Sequence, residues 1–151
     1  MITGLLKENT VKVNLEVNTW EEAAWASGGL LVETGGVEAR YIEAMMLSVK
    51  TYGPYIVIVP GIAIFHGRPQ DGVNRICMSL VTLKNPVNFD AGEKDPVKLV
   101  FAFGAIDNKA HIEALADLMV LFQDEEVLLK IQEAQTKEEV LKIIKIKLGE
   151  N

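Results

Sequence analysis

Gly53-Pro-Tyr-Ile-Val-Ile-Val59-Pro-Gly-Ile-Ala-Ile-Phe65-His66-Gly-Arg-Pro69 is the stretch on which the reading of this 151-residue chain turns. Tyr55 to Val59 is a near-continuous apolar run, too short for a helix, and reads as a central strand covered on both faces. Pro60-Gly61 interrupts it, and Ile62 to Phe65 resumes in extended form as far as His66. A rigid strand thus delivers a histidine onto a loop of Gly67, Arg68 and Pro69, a common way of presenting a reactive side chain.

Working outward, Val11 to Leu15 alternates as a short strand. Thr19-Trp-Glu-Glu22 is a capping box, in which the hydroxyl accepts from the Glu22 N–H and the carboxylate reaches back. It predicts a helix from Trp20 to Glu33 that stops at Gly35-Gly36. Gly28-Gly29 inside it predicts close packing. A second helix should occupy Glu38 to about Lys50, with Tyr41, Ala44, Met45 and Ser48 on one face and Gly53-Pro54 closing it. Trp20, Trp25 and the Met45-Met46 pair read as core. Downstream, Arg75 to Leu83 and Val97 to Ile106 are apolar and β-branched strands, separated by a polar connection with Pro86, Gly92 and Pro96. Ile112, Leu115, Ala116, Met119 and Phe122 follow helical spacing, Asp124 opens another helix, and Thr136-Lys-Glu-Glu139 caps a third. Buried strands need covering and these helices are amphipathic, so the expected class is α/β, a three-layer sandwich with helices on both faces of the sheet. The sheet should be mixed, because the middle strands follow one another without a crossover helix. With no linker, repeat or low-complexity segment, one domain is expected over residues 1–151.

Composition narrows the function. Fifteen Lys and Arg against 21 Asp and Glu give a net charge of −6, and no basic stripe appears. This argues against nucleic-acid binding by phosphate neutralisation. The lone Cys77 excludes an internal disulfide and a multi-cysteine metal cluster. No apolar run is long enough to span a membrane and no signal sequence opens the chain, so a cytoplasmic location is expected. The glycine-rich nucleotide loops, the G-x-S-x-G elbow and the H-E-x-x-H helix are missing, which leaves no expected cofactor. The 21 acidic residues single out no acid–base pair.

Two histidines remain. An imidazole is a good nucleophile near neutral pH if its other nitrogen is held by an acceptor, which makes His66 a candidate nucleophile. The competing reading is a histidine whose polar atoms are satisfied by backbone at a strand end. Arg68 could steer an anionic group such as a phosphoryl. His111, in Asp107-Asn-Lys-Ala-His111, falls in the first turn of a helix, where the field favours anions and a neutral imidazole; the alternative is an exposed first-turn histidine. A two-histidine metal site lacks a third ligand at a characteristic spacing, so no bound metal is expected. Cys77 reads as a buried, inert thiol.

The segment from Gly53 to Pro69 resembles the active-site segment of enzyme IIA proteins of the bacterial phosphoenolpyruvate-dependent sugar phosphotransferase system, in the fructose/mannitol-type superfamily. Trp20-Glu-Glu-Ala-Ala is similar to the family's opening helix. Gly36-Val-Glu-Ala-Arg-Tyr-Ile-Glu-Ala-Met45 is similar to its G-x-V-x-x-x-Y-x-x-A-M segment, and Asp107 to Leu115 to its second histidine segment. Gly53-Pro-Tyr and Arg68-Pro69 look most like the ascorbate branch. The resemblance implies the phosphotransferase/anion transport protein-like fold. It implies that His66 takes a phosphoryl group from the histidine-containing phosphocarrier protein, that His111 lies near the phosphoryl oxygens, and that a IIB component receives the group for substrate entering through a IIC membrane permease. Helix N–H groups near Asn108, with Ser79 or Arg68, would hold the oxygens. A regulatory module phosphorylated on the same histidine would need the same site. Three departures stand out: Phe65 replaces the usual proline, Gly67 stands where the ascorbate branch often has alanine, and Leu47-Ser-Val-Lys50 replaces a segment that carries an arginine in the mannitol branch. Arg68 or Lys50 would then supply that charge.

Overall fold

The computed structural model describes residues 1–149. Five strands, β1 (Val11–Leu15), β2 (Val57–Val59), β3 (Ile62–His66), β4 (Cys77–Val87) and β5 (Val97–Gly104), form one sheet in the order β1-β4-β5-β3-β2. β1 runs parallel to β4 and β3 parallel to β5, whereas β4–β5 and β2–β3 are antiparallel. The sheet is mixed, as expected, because β4 returns as a hairpin into β5 and β5 inserts beside β3.

Side-chain alternation divides the apolar residues between two layers. Ala63, Phe65, Val81, Leu83, Val100 and Ala102 pack with residues of α2 (Trp20–Glu33) and α3 (Arg40–Tyr52), among them Leu31, Tyr41 and Met45. Ile62, Ile64, Met78, Leu80, Leu99, Phe101 and Phe103 pack with α4 (Asn108–Phe122), α5 (Glu125–Glu133) and α6 (Lys137–Lys147) through Leu118, Leu121, Ile131, Val140 and Ile144. Each large side chain so buried stabilises by ~1.5–3 kcal/mol. A four-residue helix, α1 (Ile2–Leu5), adds Ile2 to the second layer and was not foreseen.

Local signals placed α2 well. α2 spans Trp20–Glu33, with the Thr19 hydroxyl accepting from the Glu22 N–H at 3.1 Å. The Glu22 carboxylate, however, accepts from the Asn18 N–H. Gly28 is required by the α2–α3 contact, since a Cβ there would lie 2.8 Å from Ile42 Cγ1, while Gly29 faces open space.

Three expectations are corrected. Tyr55 to Val59 is not a central strand: only Val57–Val59 pairs, at the sheet edge. The chain leaves α3 in a turn in which Val57 N–H reaches Pro54 O, and Pro60 has no N–H to extend a ladder. The run is apolar because Ile56 and Val57 are buried by the α2–α3 layer. β4 continues through exposed Pro86 to Val87, where the register with β5 shifts and frees proline from donating. Trp25 is 49% exposed and lies outside the core, whereas half-buried Trp20 stacks on Phe65.

Candidate active site

His66 ends β3, and alternation from Ile62 and Ile64 turns its side chain toward α4. Its Nδ1 lies 3.0 Å from Ile64 O. A carbonyl oxygen only accepts, so Nδ1 carries the proton and Nε2 keeps its lone pair. The backbone-satisfied reading holds for Nδ1, and it leaves Nε2 available for the nucleophile reading. Phe65 anchors this strand end: it is fully buried, its ring 6.4 Å from that of Trp20 and 5.8 Å from that of Phe89.

α4 delivers the second histidine. The Asp107 side chain caps the helix by accepting from Ala110 N–H at 2.8 Å, and His111 N–H donates to Asp107 O. The His111 ring stands edge-on to His66, with centroids 6.1 Å apart, and lies 5.4 Å from Phe103. Burial, and secondarily the His66 ring, holds the His111 imidazole below its ordinary pKa, favouring the neutral form.

Around the pair, Tyr55 stands edge-on to His66 at 5.7 Å, and its hydroxyl lies 2.9 Å from that of Ser48. Tyr41 is buried, accepting from Gly67 N–H and donating to Phe103 O, each at 2.7 Å. Arg68 grips Asp71 through Nη2 (3.1 Å) and Nε (3.3 Å), and its own backbone N–H donates to the same carboxylate. The hydrogen bond from the Arg68 side chain holds the Asp71 carboxyl below the usual carboxylate range. A cleft of about 440 Å³ is lined by Leu47, Ser48, Tyr52, Tyr55, His66, Arg68 and Asp71, among others. A smaller hollow of about 40 Å³ opens on the other side of Gly67, bounded by Pro69, Phe103, Asp107, Asn108 and His111.

His66, His111, Arg68 and Asn108 therefore gather around Gly67. Ser79 does not. It is fully buried and its hydroxyl donates to Ser27 O in α2 at 2.7 Å, on the opposite face of the sheet from His66. Lys50 is exposed on α3 and lines neither hollow. Cys77 is buried, and burial pushes its thiol up to about 11, so it is no nucleophile. Among the described residues, no group of three or more His, Cys, Asp or Glu is arranged to hold a metal ion. Sequence reasoning missed Tyr41's hydroxyl, Tyr55 and Asp71. Tyr41 was visible only as one residue of a helix face, and Tyr55 lay inside a run read as strand. The Arg68–Asp71 pair becomes readable only once Pro69–Asp71 forms a 3₁₀ turn.

Chemically, the arrangement offers one ring nitrogen, Nε2, with a free lone pair, because the ring proton is held on Nδ1 by Ile64 O. Arg68, paired with Asp71, lines the same cleft as His66, while the His111 imidazole and the α4 N-terminus border the adjoining hollow, and such groups suit an anionic electrophile. Relatives agree. A family model described as "Phosphoenolpyruvate-dependent sugar phosphotransferase system, EIIA 2" matches residues 4–147. The ascorbate-specific PTS system EIIA component of Salmonella typhimurium is 39% identical over 142 residues, covering 93% of this chain and 92% of that protein. The mannitol-specific cryptic phosphotransferase enzyme IIA CmtB of Escherichia coli superposes with a TM-score of 0.85 at 31% identity, covering 95% of this chain and 97% of that one. Enzyme IIA of the Escherichia coli mannitol system, solved in complex with phosphorylated enzyme IIB, superposes with a TM-score of 0.82 at 27% identity, covering 93% and 98%. With nearly the whole chain matched, this protein belongs to the EIIA type 2 family of the phosphoenolpyruvate-dependent sugar phosphotransferase system.

Proposed function

We propose that His66 Nε2 accepts a phosphoryl group from the histidine-containing phosphocarrier protein and passes it to a IIB component. Through a IIC permease, that component serves uptake of ascorbate or a related sugar acid. The observation that carries this reading is the commitment of Nδ1 to Ile64 O, which leaves Nε2 free beside His111 and Arg68. The substrate class rests on the ascorbate-specific relatives, and the IIB partner on the complex formed by the mannitol enzyme IIA. The chain acts as one domain in the cytoplasm, without cofactor or metal; no helix among the described residues is long and apolar enough to cross a membrane.

In the transfer, the bond from phosphorus to the donor nitrogen breaks as the bond to His66 Nε2 forms. The donor imidazole leaves with its lone pair, and the proton stays on Nδ1, its hydrogen bond to Ile64 O stabilising the positive charge that develops on the ring. A loose transition state leaves positioning and charge stabilisation as the protein's task. His111 offers an N–H to an equatorial oxygen, while Arg68 and the α4 N-terminus near Asn108 supply positive potential. The return step to IIB runs the same events in reverse.

The test is His66→Ala, supplied with labelled phosphoenolpyruvate and the general carrier proteins. The variant should fold and take no label, because a half-buried strand-end side chain leaves no large cavity when removed. Retained label would overturn the assignment.

A further inference from the structure

We infer that Tyr41 is a positioning residue for transfer, its hydroxyl wedged into the rung of the β3–β5 ladder that would follow His66. This rests on the proposed role of His66. The last registered pair of that parallel ladder is His66 with Phe103. Ile64 N–H points the other way, to Ile56 O, so along β3 the odd-numbered N–H groups face β5. In a continued ladder the next of these, Gly67 N–H, would donate to Phe103 O. The Tyr41 hydroxyl stands between them, accepting from the first and donating to the second, at 2.7 Å each. The side chain is fully buried, and no water is needed to satisfy any of the three groups.

The wedge ends β3 at His66 and turns the chain from β5, opening the hollow that His111 and Asn108 border. Phe103, whose carbonyl the hydroxyl holds, also carries the ring against which His111 packs. One phenol therefore sets both the backbone leaving His66 and the platform under His111. Gly67 permits the approach: a Cβ there would lie 3.1 Å from Tyr41 Cε1. Without the hydroxyl, the rung closes directly or leaves two buried polar groups unpaired. Either way, His66 Nε2 moves relative to His111.

The test measures single-turnover transfer from pre-phosphorylated carrier to wild type and to Tyr41→Phe, over a range of carrier concentrations. Positioning predicts that the maximal rate falls at least about tenfold while half-saturation stays within about twofold, since partner docking is untouched. Val140→Ala, in the α6 core over the β1 edge, serves as a destabilised control and should keep the wild-type rate. A Tyr41→Phe rate within twofold of wild type, a change in half-saturation alone, or an equal loss in Val140→Ala each overturns the inference. Amide exchange on the unaltered protein tests it without any variant: Gly67 N–H should be protected, and exchange at the open-chain rate overturns it. A wild-type protein that takes no phosphoryl would instead sink the His66 reading, and this inference with it.

Discussion

Phosphorylation of His66 should raise the pKa of His111, reversing the direction set in the unmodified protein. Burial and the neighbouring ring now hold His111 below its ordinary value. Its folded-state pKa is depressed, so its contribution to stability is full above the unfolded value and is lost as pH falls through the folded one. A phosphoryl on Nε2 places net negative charge close to an imidazole whose ring centre is 6.1 Å from that of His66. One net charge at that separation is worth about 2.7 kcal/mol at an effective dielectric near 20, or ~2 pKa units, and ~0.7 kcal/mol, or half a unit, in a water-like dielectric. His111 is half-buried, so the rise should fall between those limits for each net charge. The assay follows the His111 Cε1 proton by NMR against pH, in the free and phosphorylated protein, approached from the alkaline side to preserve the acid-labile phosphoramidate. A His111 pKa that stays put or drops on phosphorylation would refute the placement of the phosphoryl beside this ring.

Other substitutions separate the site from the scaffold. His111→Ala should slow transfer by about 10²-fold while the label still maps to His66, since it removes a donor to a transferring group; label on a residue other than His66 would reverse the roles. Arg68→Gln should slow transfer and let the Asp71 carboxyl titrate at higher pH, because the lost hydrogen bond is the main cause of its lowered pKa; an unmoved Asp71 titration would show that the pair does not hold in solution. Ser79→Ala should cost about 1 kcal/mol in denaturant unfolding through the lost bond to Ser27 O and leave the transfer rate unchanged; a slowed rate would return Ser79 to the site.

The elements with their own punctuation were legible in the chain. Thr19 and Gly35 bracket α2, Asp124 and Thr136 cap α5 and α6, and the observed helices follow them. Tyr55 to Val59 misled because an apolar run reports burial, not the number of hydrogen-bonded neighbours; a turn packed under α3 is as apolar as a central strand. Ser79 misled for a related reason. β4 is buried on both faces from Cys77 to Leu83, so no alternation of polar and apolar residues shows which side Ser79 takes until the register with β5 is known. His66 and His111 were legible as strand-end and helix-start residues, and their resemblance to family motifs joined them. The hydroxyl of Tyr41 was not: helical spacing places a ring in the core but says nothing of the backbone groups, 26 and 62 residues away, that its oxygen meets.

The central claim, that His66 Nε2 is the phosphoryl acceptor, is tested most directly by locating the phosphorus on the ring. Carrier protein already phosphorylated and freed of its kinase is mixed with this protein in excess chelator, and nitrogen-15 and phosphorus NMR are recorded on the product. The account predicts one phosphoryl, lost in mild acid and kept in alkali, coupled to Nε2 of His66, with Nδ1 still protonated against Ile64 O. Phosphorus on Nδ1, on His111 or on an oxygen, or a strict requirement for ATP or metal, would contradict it.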